Sequence, residues 1–462
     1  MTPHAEWTKL RTVRAWVAGL LASALMVVAV AVLTGISTDQ RNAPPVPVGP
    51  EGGPVTDSFY LVHRSLPGNG TISASVIAPD GAPWAKAGLI VKDGTRPGSR
   101  YAAIMLTGDH GVRLQHDFVH DVPAAPARWL RLDRDGDTVT GATSADGTHW
   151  TTVGTAQVPG RDARVGLFVA SPQVVRGRGT VPSASTAVFD DVRVPPGHWT
   201  GEQIGAGTAT FGGYPRGTIG SFTETAGRLT VTGAGDLAPA VRDGLGSGGT
   251  LREILTGTFA ALVAVIVLAS QFVSTEYRDD LMRVTLTATP RRGRVLAAKA
   301  VVLGAVTFVA GLAGSAVAVP LGSTLARASG VYVFPVSPWT QLRVELGTAA
   351  LLATTAILAV AVATVFRRGA VTTVLTLVVL PYLLVAQLPF LPPDAAHWLT
   401  TVTPAAAFAV QQTLVPYHQV SGVYTPYNDY YPLPPWAGLA VLAAYTAVAL
   451  AVAAAVLRRR DA

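Results

Sequence analysis

A short, charge-dense insert between two long apolar runs of this 462-residue chain lies at 275–299, TEYRDDLMRVTLTATPRRGRVLAAK. Glu276, Tyr277, Arg278, Leu281, Arg283, Thr285, Pro290, Arg291 and Arg292 set charge beside a few apolar side chains and one helix breaker. The chemistry such a patch supports is docking. A short helix with Leu281, Val284 and Thr285 near one face inserts in a partner's groove, and Glu276, Arg278 and Arg283 make charged contacts at its rim. Pro290 ends that helix because it has no backbone N–H to donate. Arg291, Arg292 and Arg294 then lie at the level of lipid headgroups. On spacing alone, a merely solvated basic loop is the competing reading.

Other chemistries are poorly provided for. The chain has no Cys, which removes thiol nucleophiles, Cys-ligated zinc, iron–sulfur clusters and disulfides. The phosphate loop G-x-x-x-x-G-K-[ST] is absent, and GLGSGG at 244–249 lacks the lysine, so it reads as a linker. Asp133, Asp135 and Asp137 suggest calcium ligands, but the bidentate Glu that closes such a loop is missing and a D-G hairpin turn accounts for them. Calcium in this region stays open. Glycoside hydrolysis needs two carboxylates about 5–9.5 Å apart, and Glu51, Glu202 and Glu224 are scattered singly through 37–253. No catalytic, cofactor-binding or metal residue is assigned, and no enzyme activity is expected of this chain.

The elements that hold the patch are apolar runs. Hydrophobic residues make up 49% and charged residues 14%, well under the usual charged share of about 25%. The shortfall is concentrated at 15–36, 254–275, 300–326, 346–366, 369–391 and 436–457, each near the roughly 20 residues a bilayer requires. The first run is longer than a signal-peptide core and no clear A-x-A site follows, so an uncleaved anchor is expected. Basic residues flank alternate ends of the runs. Lys9, Arg11, Arg14, the elbow, Arg367, Arg368 and Arg458 to Arg460 fall on one side, and only Arg327 and Arg343 in the short loops of the other. The positive-inside bias puts both termini and 275–299 in the cytoplasm, with 37–253 extracellular. The net charge of +7 follows from this topology, and no nucleic-acid partner is expected. Inside the spans there is no ion relay. Pro381 and Pro389 predict a kink in the fifth. The segment 398–415 is apolar yet short, a re-entrant or an interfacial helix.

Residues 37–57 are Pro/Gly-rich and read as a linker. From 58 to 245, short runs rich in Val, Ile, Thr and aromatics recur every 10–12 residues with turn signals between them. That pattern predicts an antiparallel β-sandwich ectodomain, which TATFGGY, GSFTETAGRLTVTG and GDLAP continue as closing strands or a small annex. The fold class is therefore an α-helical polytopic membrane protein with six transmembrane helices plus an all-β sandwich. Residues 1–14 are a basic, slightly amphipathic cytoplasmic segment, and 246–462 hold the other five spans.

Two stretches carry a family resemblance. EWTKLRTVR at 6–14, with Glu6, Trp7, Lys9, Leu10 and Arg11, resembles the connecting helix of bacterial ATP-binding-cassette type 2 exporter permeases. The elbow is similar to that family's loop between the second and third spans, with Glu276, Tyr277, Arg278, Thr285, Pro290, Arg291, Arg292 and Lys299 at matching positions. Asp279 and Asp280 depart from it. RWLRLDRDGDTVTGATSADGTHWTTVG (128–154) and TAVFDDVRV (186–194) resemble concanavalin-like, laminin-G-like sandwiches. The Arg-, Ala- and Gly-rich composition resembles that of a high-GC bacterium. These resemblances imply an exporter permease in the bacterial plasma membrane that works as a homo- or heterodimer. ATP and magnesium would sit on a separate ABC ATPase subunit. The alternative is a membrane-anchored glycan- or peptide-binding receptor without transport.

Overall fold

A computed structural model describes residues 3–460 except 38, 161–162, 178, 216–219, 246–247, 279–291, 367–369 and 387–390. The chain divides into a helical unit (Met1–Asn42, Gly248–Val415 and Tyr424–Ala462) and a two-sheet unit (Ala43–Ser247 with Pro416–Val423).

The two-sheet unit is built from period-2 alternation. One seven-stranded sheet runs, edge to edge, Thr151–Gln157, Thr138–Ser144, Trp129–Asp135, Gly70–Ile77, Ala184–Arg193, Arg228–Ala234 and Ser221–Thr225. The other runs Thr200–Gln203, Tyr60–Ser65, Ala163–Ala170, Lys86–Asp93, Tyr101–Thr107, Val112–His116 and His120–Ala124. Within these two sheets the neighbouring strands pair antiparallel. Ile72, Ala74 and Val76 of the first sheet meet Ala87, Leu89 and Val91 of the second in one core. The opposite face of the second sheet carries another apolar layer, including Ile90, Tyr101, Phe118 and Phe168. Strand Val55–Ser58 contributes Val55 to it, and its antiparallel partner Asp236–Pro239 contributes Leu237.

The D-G turn is where the sequence placed it, with Gly136 at φ 59 between two strands. The S-x-DG-x-x-W motif is a turn closed by its own side chains. Ser144 Oγ accepts from Gly147 N at 2.9 Å, and Asp146 Oδ1 accepts from Thr148 N and His149 N at 2.8 and 2.9 Å. Those bonds, the His149 amide first, hold the Asp146 carboxyl well below the usual carboxylate range. Gly147 is at φ 77, and a Cβ there would stand 2.8 Å from the Trp129 ring, so turn and ring together require glycine. Asp133 accepts from Thr71 and Arg131 (2.7 and 2.6 Å), and Asp135 from Asn69 (2.7 Å). Hairpin and cross-strand contacts thus account for these carboxylates. Two expectations need correcting. TATFGGY forms a single 3₁₀ turn, Ala209–Phe211, in which Phe211 stacks on Tyr214. The stretch 37–57 is not wholly a linker, because Val55–Ser58 is a strand whose Asp57 pairs with Lys92.

In the helical unit, α1 (Pro3–Thr12) and α2 (Arg14–Ser37) open the chain. Then come α3 (Leu251–Ile254), α4 (Gly257–Arg278), α5 (Arg292–Ala328), α6 (Pro338–Phe366), α7 (Ala370–Val374), α8 (Leu380–Ala386), α9 (Pro393–Val402) and α10 (Pro435–Arg460). Among the described residues five helices are long and apolar enough to cross a membrane: α2, α4, α5, α6 and α10. The fifth expected span, 369–391, is interrupted. Between α7 and α8 the backbone widens into a π turn, Leu375–Val379, and Leu380 N–H reaches back to Leu375 O. Pro381 supplies the reason, since its ring crowds the carbonyl four residues earlier and it cannot complete the α-helical ladder. Pro389 lies outside the described residues.

The apolar stretch 398–415 folds into the helical unit. After α9, Pro404–Gln411 forms 3₁₀ turns in which every residue is buried. Such backbone is tolerated among apolar helices only where its polar groups find partners. Arg343 of α6 provides two, donating to Val410 O at 3.2 Å and Gln412 O at 2.6 Å. Gln411 donates to Thr258 of α4 and Thr348 of α6, at 3.0 and 3.1 Å. Gly438 of α10 permits the close approach, because a Cβ there would stand 2.1 Å from Ala406 O. Arg343→Leu should therefore destabilise the helical unit, at about 1–3 kcal/mol for each buried acceptor left without a donor. Thermal unfolding in lipid nanodiscs would register this as a lowered midpoint.

Candidate functional site

The helices meet around a buried group of charges. On α1, Glu6, Lys9 and Leu10 fall on one face by their i, i+3 and i+4 spacing. On α4, Phe272 and Glu276 are one turn apart at the C-terminal end, and Val295, Leu296 and Lys299 share a face near the start of α5. Leu10, Phe272 and Leu296 belong to the same apolar core, and Val295 is buried beside it. That packing brings the charges together.

Lys299 Nζ donates to Glu6 Oε1 and Oε2 at 2.9 and 3.0 Å and to Glu276 Oε1 at 2.6 Å. Lys9 Nζ donates to the same Glu276 oxygen. The Phe272 ring faces both ammonium groups, 4.6 Å from Lys9 and 5.3 Å from Lys299, and is itself held edge-on by Trp16. Exposure is 2% for the Lys299 and Glu6 side chains and 6% for Glu276, so the Lys299 pairs are dry, while Lys9 keeps 31% of its side chain exposed. Two acids and two bases balance. Lysine suits the place, because a compact ammonium directs three donors at separate oxygens where a planar guanidinium would not. Glu276 Oε2 has no hydrogen-bond partner among the described residues.

The residues singled out from the sequence divide as follows. Glu6, Lys9, Leu10 and Glu276 are in this site. Trp7 and Arg11 of α1 are exposed, and Tyr277 packs half-buried against the core. Arg278 ends α4 and Arg292 begins α5, so the elbow is narrower than 275–299. Its outer turns continue the helices, which keep their hydrogen-bonded ladder past the last apolar residue. Leu281, Arg283, Thr285, Pro290 and Arg291 lie outside the described residues. Phe272 was missed because it reads as one more apolar residue of a span.

A second charged group was also missed. Arg252 of α3 donates to Asp429 Oδ1 at 2.9 Å, and Thr250 Oγ1 donates to Asp429 Oδ2. Thr250 also caps α3 through a reciprocal bond pair with Glu253. Nothing local in the sequence joins residues 252 and 429.

Residues 114–462 match the ABC-2 family transporter proteins. The chain belongs to that family. It is an ABC-2 family membrane protein with, among the described residues, five apolar membrane-length helices and a large β-sheet region. No curated protein sequence matches this ABC-2 chain. Among solved structures it is similar to SCP-B, a member of the eqolisin family of peptidases in complex with the tripeptide Ala-Ile-His, at 11% identity and a TM-score of 0.24. It is likewise similar to Scytalido-glutamic peptidase with a peptide-based transition-state analogue, at 12% identity and the same TM-score. Each match covers 38% of this chain and 98% of the peptidase. A functionally unknown protein from Saccharomyces cerevisiae is similar at 14% identity and a TM-score of 0.19, over 29% of this chain and 74% of its own.

Proposed function

We propose that this ABC-2 family protein is the permease subunit of an ATP-driven exporter and couples to a separate ATPase through the elbow at 275–299. The observation that carries the reading is the ionic group of Glu6, Lys9, Glu276 and Lys299. It ties the N-terminal helix to the two helices that lead into and out of the elbow. A push on the elbow then moves three helices together, as a chain without its own nucleotide site requires. ATP and magnesium belong to the partner, two permease subunits complete the transporter, and both termini face the cytoplasm of a bacterium. The two sheets form an extracellular sandwich of concanavalin type, and α7 with α8 supplies the sixth crossing.

Charge reversal beyond the ionic group tests the docking. Arg278→Glu with Arg283→Glu leaves Glu6, Lys9, Glu276 and Lys299 in place and is expected to abolish co-purification of the ATPase. Full retention of the ATPase by that double variant would count against the elbow as the dock. The absence of cysteine allows a clean topology test as well. A cysteine introduced at Arg294 should react with an impermeant maleimide only after the cells are opened.

The receptor reading draws on a small cleft of about 50 Å³ at one end of the two-sheet unit. Thr56, Gln173, Tyr214, Asp236, Asp243 and Ser421 are among its lining residues. Asp243 accepts from Val423 N at 3.1 Å, and burial raises its carboxyl above the usual range. The cleft has room for a few waters or one small polar group, so it suits a minor ligand better than a glycan chain.

A further inference from the structure

The chain has four lysines, Lys9, Lys86, Lys92 and Lys299, among 35 Lys and Arg residues, and each one contacts a carboxylate. Two lie in the two-sheet unit on the central strand Lys86–Asp93, on the face away from the shared core. They reach the strands by which the chain enters and leaves that unit, Val55–Ser58 and Asp236–Pro239, which pair with each other. Lys86 bonds Asp236 at 2.6 Å, and that aspartate keeps some exposure (8%). Lys92 bonds Asp57 Oδ2 at 2.7 Å, and both side chains are fully buried. The rings of Tyr101 and Phe118 each stand 5.8 Å from the Lys92 nitrogen.

We propose that Lys92 and Asp57 are joined by an intramolecular amide bond. Proton transfer across the 2.7 Å contact gives the amine and the acid. The nitrogen attacks Asp57 Cγ, forming the C–N bond, and the C–Oδ1 bond breaks. The acid proton passes from Oδ2 to Oδ1, and Oδ1 departs as water with that proton and one from nitrogen, so the step is redox-neutral and needs no co-reactant. The surroundings are arranged for it. Gly98 N–H donates to Oδ2 at 2.7 Å, where negative charge develops during attack. Oδ1, the leaving oxygen, is buried with no partner among the described residues. The amide N–H that remains has Ser99 O as its acceptor, 3.1 Å from the nitrogen. Two groups held at contact distance react with an effective concentration of about 10⁵–10⁸ M. The bond would staple the entry strand to the centre of its sheet in a unit without disulfides.

Mass spectrometry of the full-length protein purified in detergent tests the proposal. The expected result is a mass lower than that of the sequence by one water, and a branched proteolytic peptide containing both Asp57 and Lys92. After denaturation, an amine-reactive label should reach three of the four lysines. Lys92→Arg should restore the water, whereas Lys86→Arg should leave it missing. An unbranched digest with all four lysines labelled would overturn the proposal, as would a missing water that survives Lys92→Arg. The wild-type digest decides the matter even where Lys92→Arg fails to fold.

Discussion

Lys299→Met should be among the most damaging single substitutions in the helical unit. Among the described residues it leaves the Glu6 carboxylate, 2% exposed, with no cation beside it, and leaves Glu276 with Lys9 alone. Removing one partner of a buried ion pair costs about 3–5 kcal/mol, because the remaining charge stays out of water. That is a large part of the stability of an ordinary domain. The expected observation is a clear drop in the thermal midpoint in detergent or nanodiscs, with release of α1 seen as faster proteolysis near residue 10. Glu6→Gln combined with Lys299→Met should recover part of the loss, since the stranded charge is then gone. If the double variant is no better than the single, the damage comes from lost packing against Phe272 rather than from charge. Lys299→Arg should fall between them. Its charge remains, but the fork of a guanidinium does not match three oxygens presented by two helices.

Asp429→Ala is expected to cost a similar amount at the other charged group. The Arg252 side chain is 7% exposed and that of Asp429 2%, so the substitution takes the carboxylate away from a buried guanidinium, at about 3–5 kcal/mol. Asp429 also sits at φ 72, in the left-handed region that Asp and Asn tolerate better than Ala. Asp429→Asn separates the two effects. It keeps the backbone preference and an acceptor oxygen but loses the charge, so it should be less damaging than Ala. Unfolding midpoints of the two variants decide this, and equal losses would show that charge pairing alone sets the cost.

Several features were legible in the sequence because they depend on local order. Apolar length marked the membrane helices, period-2 alternation marked the strands, and D-G marked a hairpin. Glu6 and Glu276 were singled out from two separate motifs, but their meeting at Lys299 was not foreseen. The interruption of the fifth run was foreseen at Pro381 only as a kink. Tyr417 belongs to the two-sheet unit, whereas Tyr430 and Tyr431 are buried in the helical one, a division that nothing local in the sequence records.

The amino-acid order alone therefore determined most of the apolar helices and strands and where charge is concentrated. Each of these follows from spacing within a few residues. Tertiary structure decided which charges are partners. Lys299 with Glu6, Lys92 with Asp57 and Arg252 with Asp429 are separated by 293, 35 and 177 residues. Burial is what makes these pairs matter, since water would screen the same charges at the surface. No local pattern records which distant side chain will be enclosed with them.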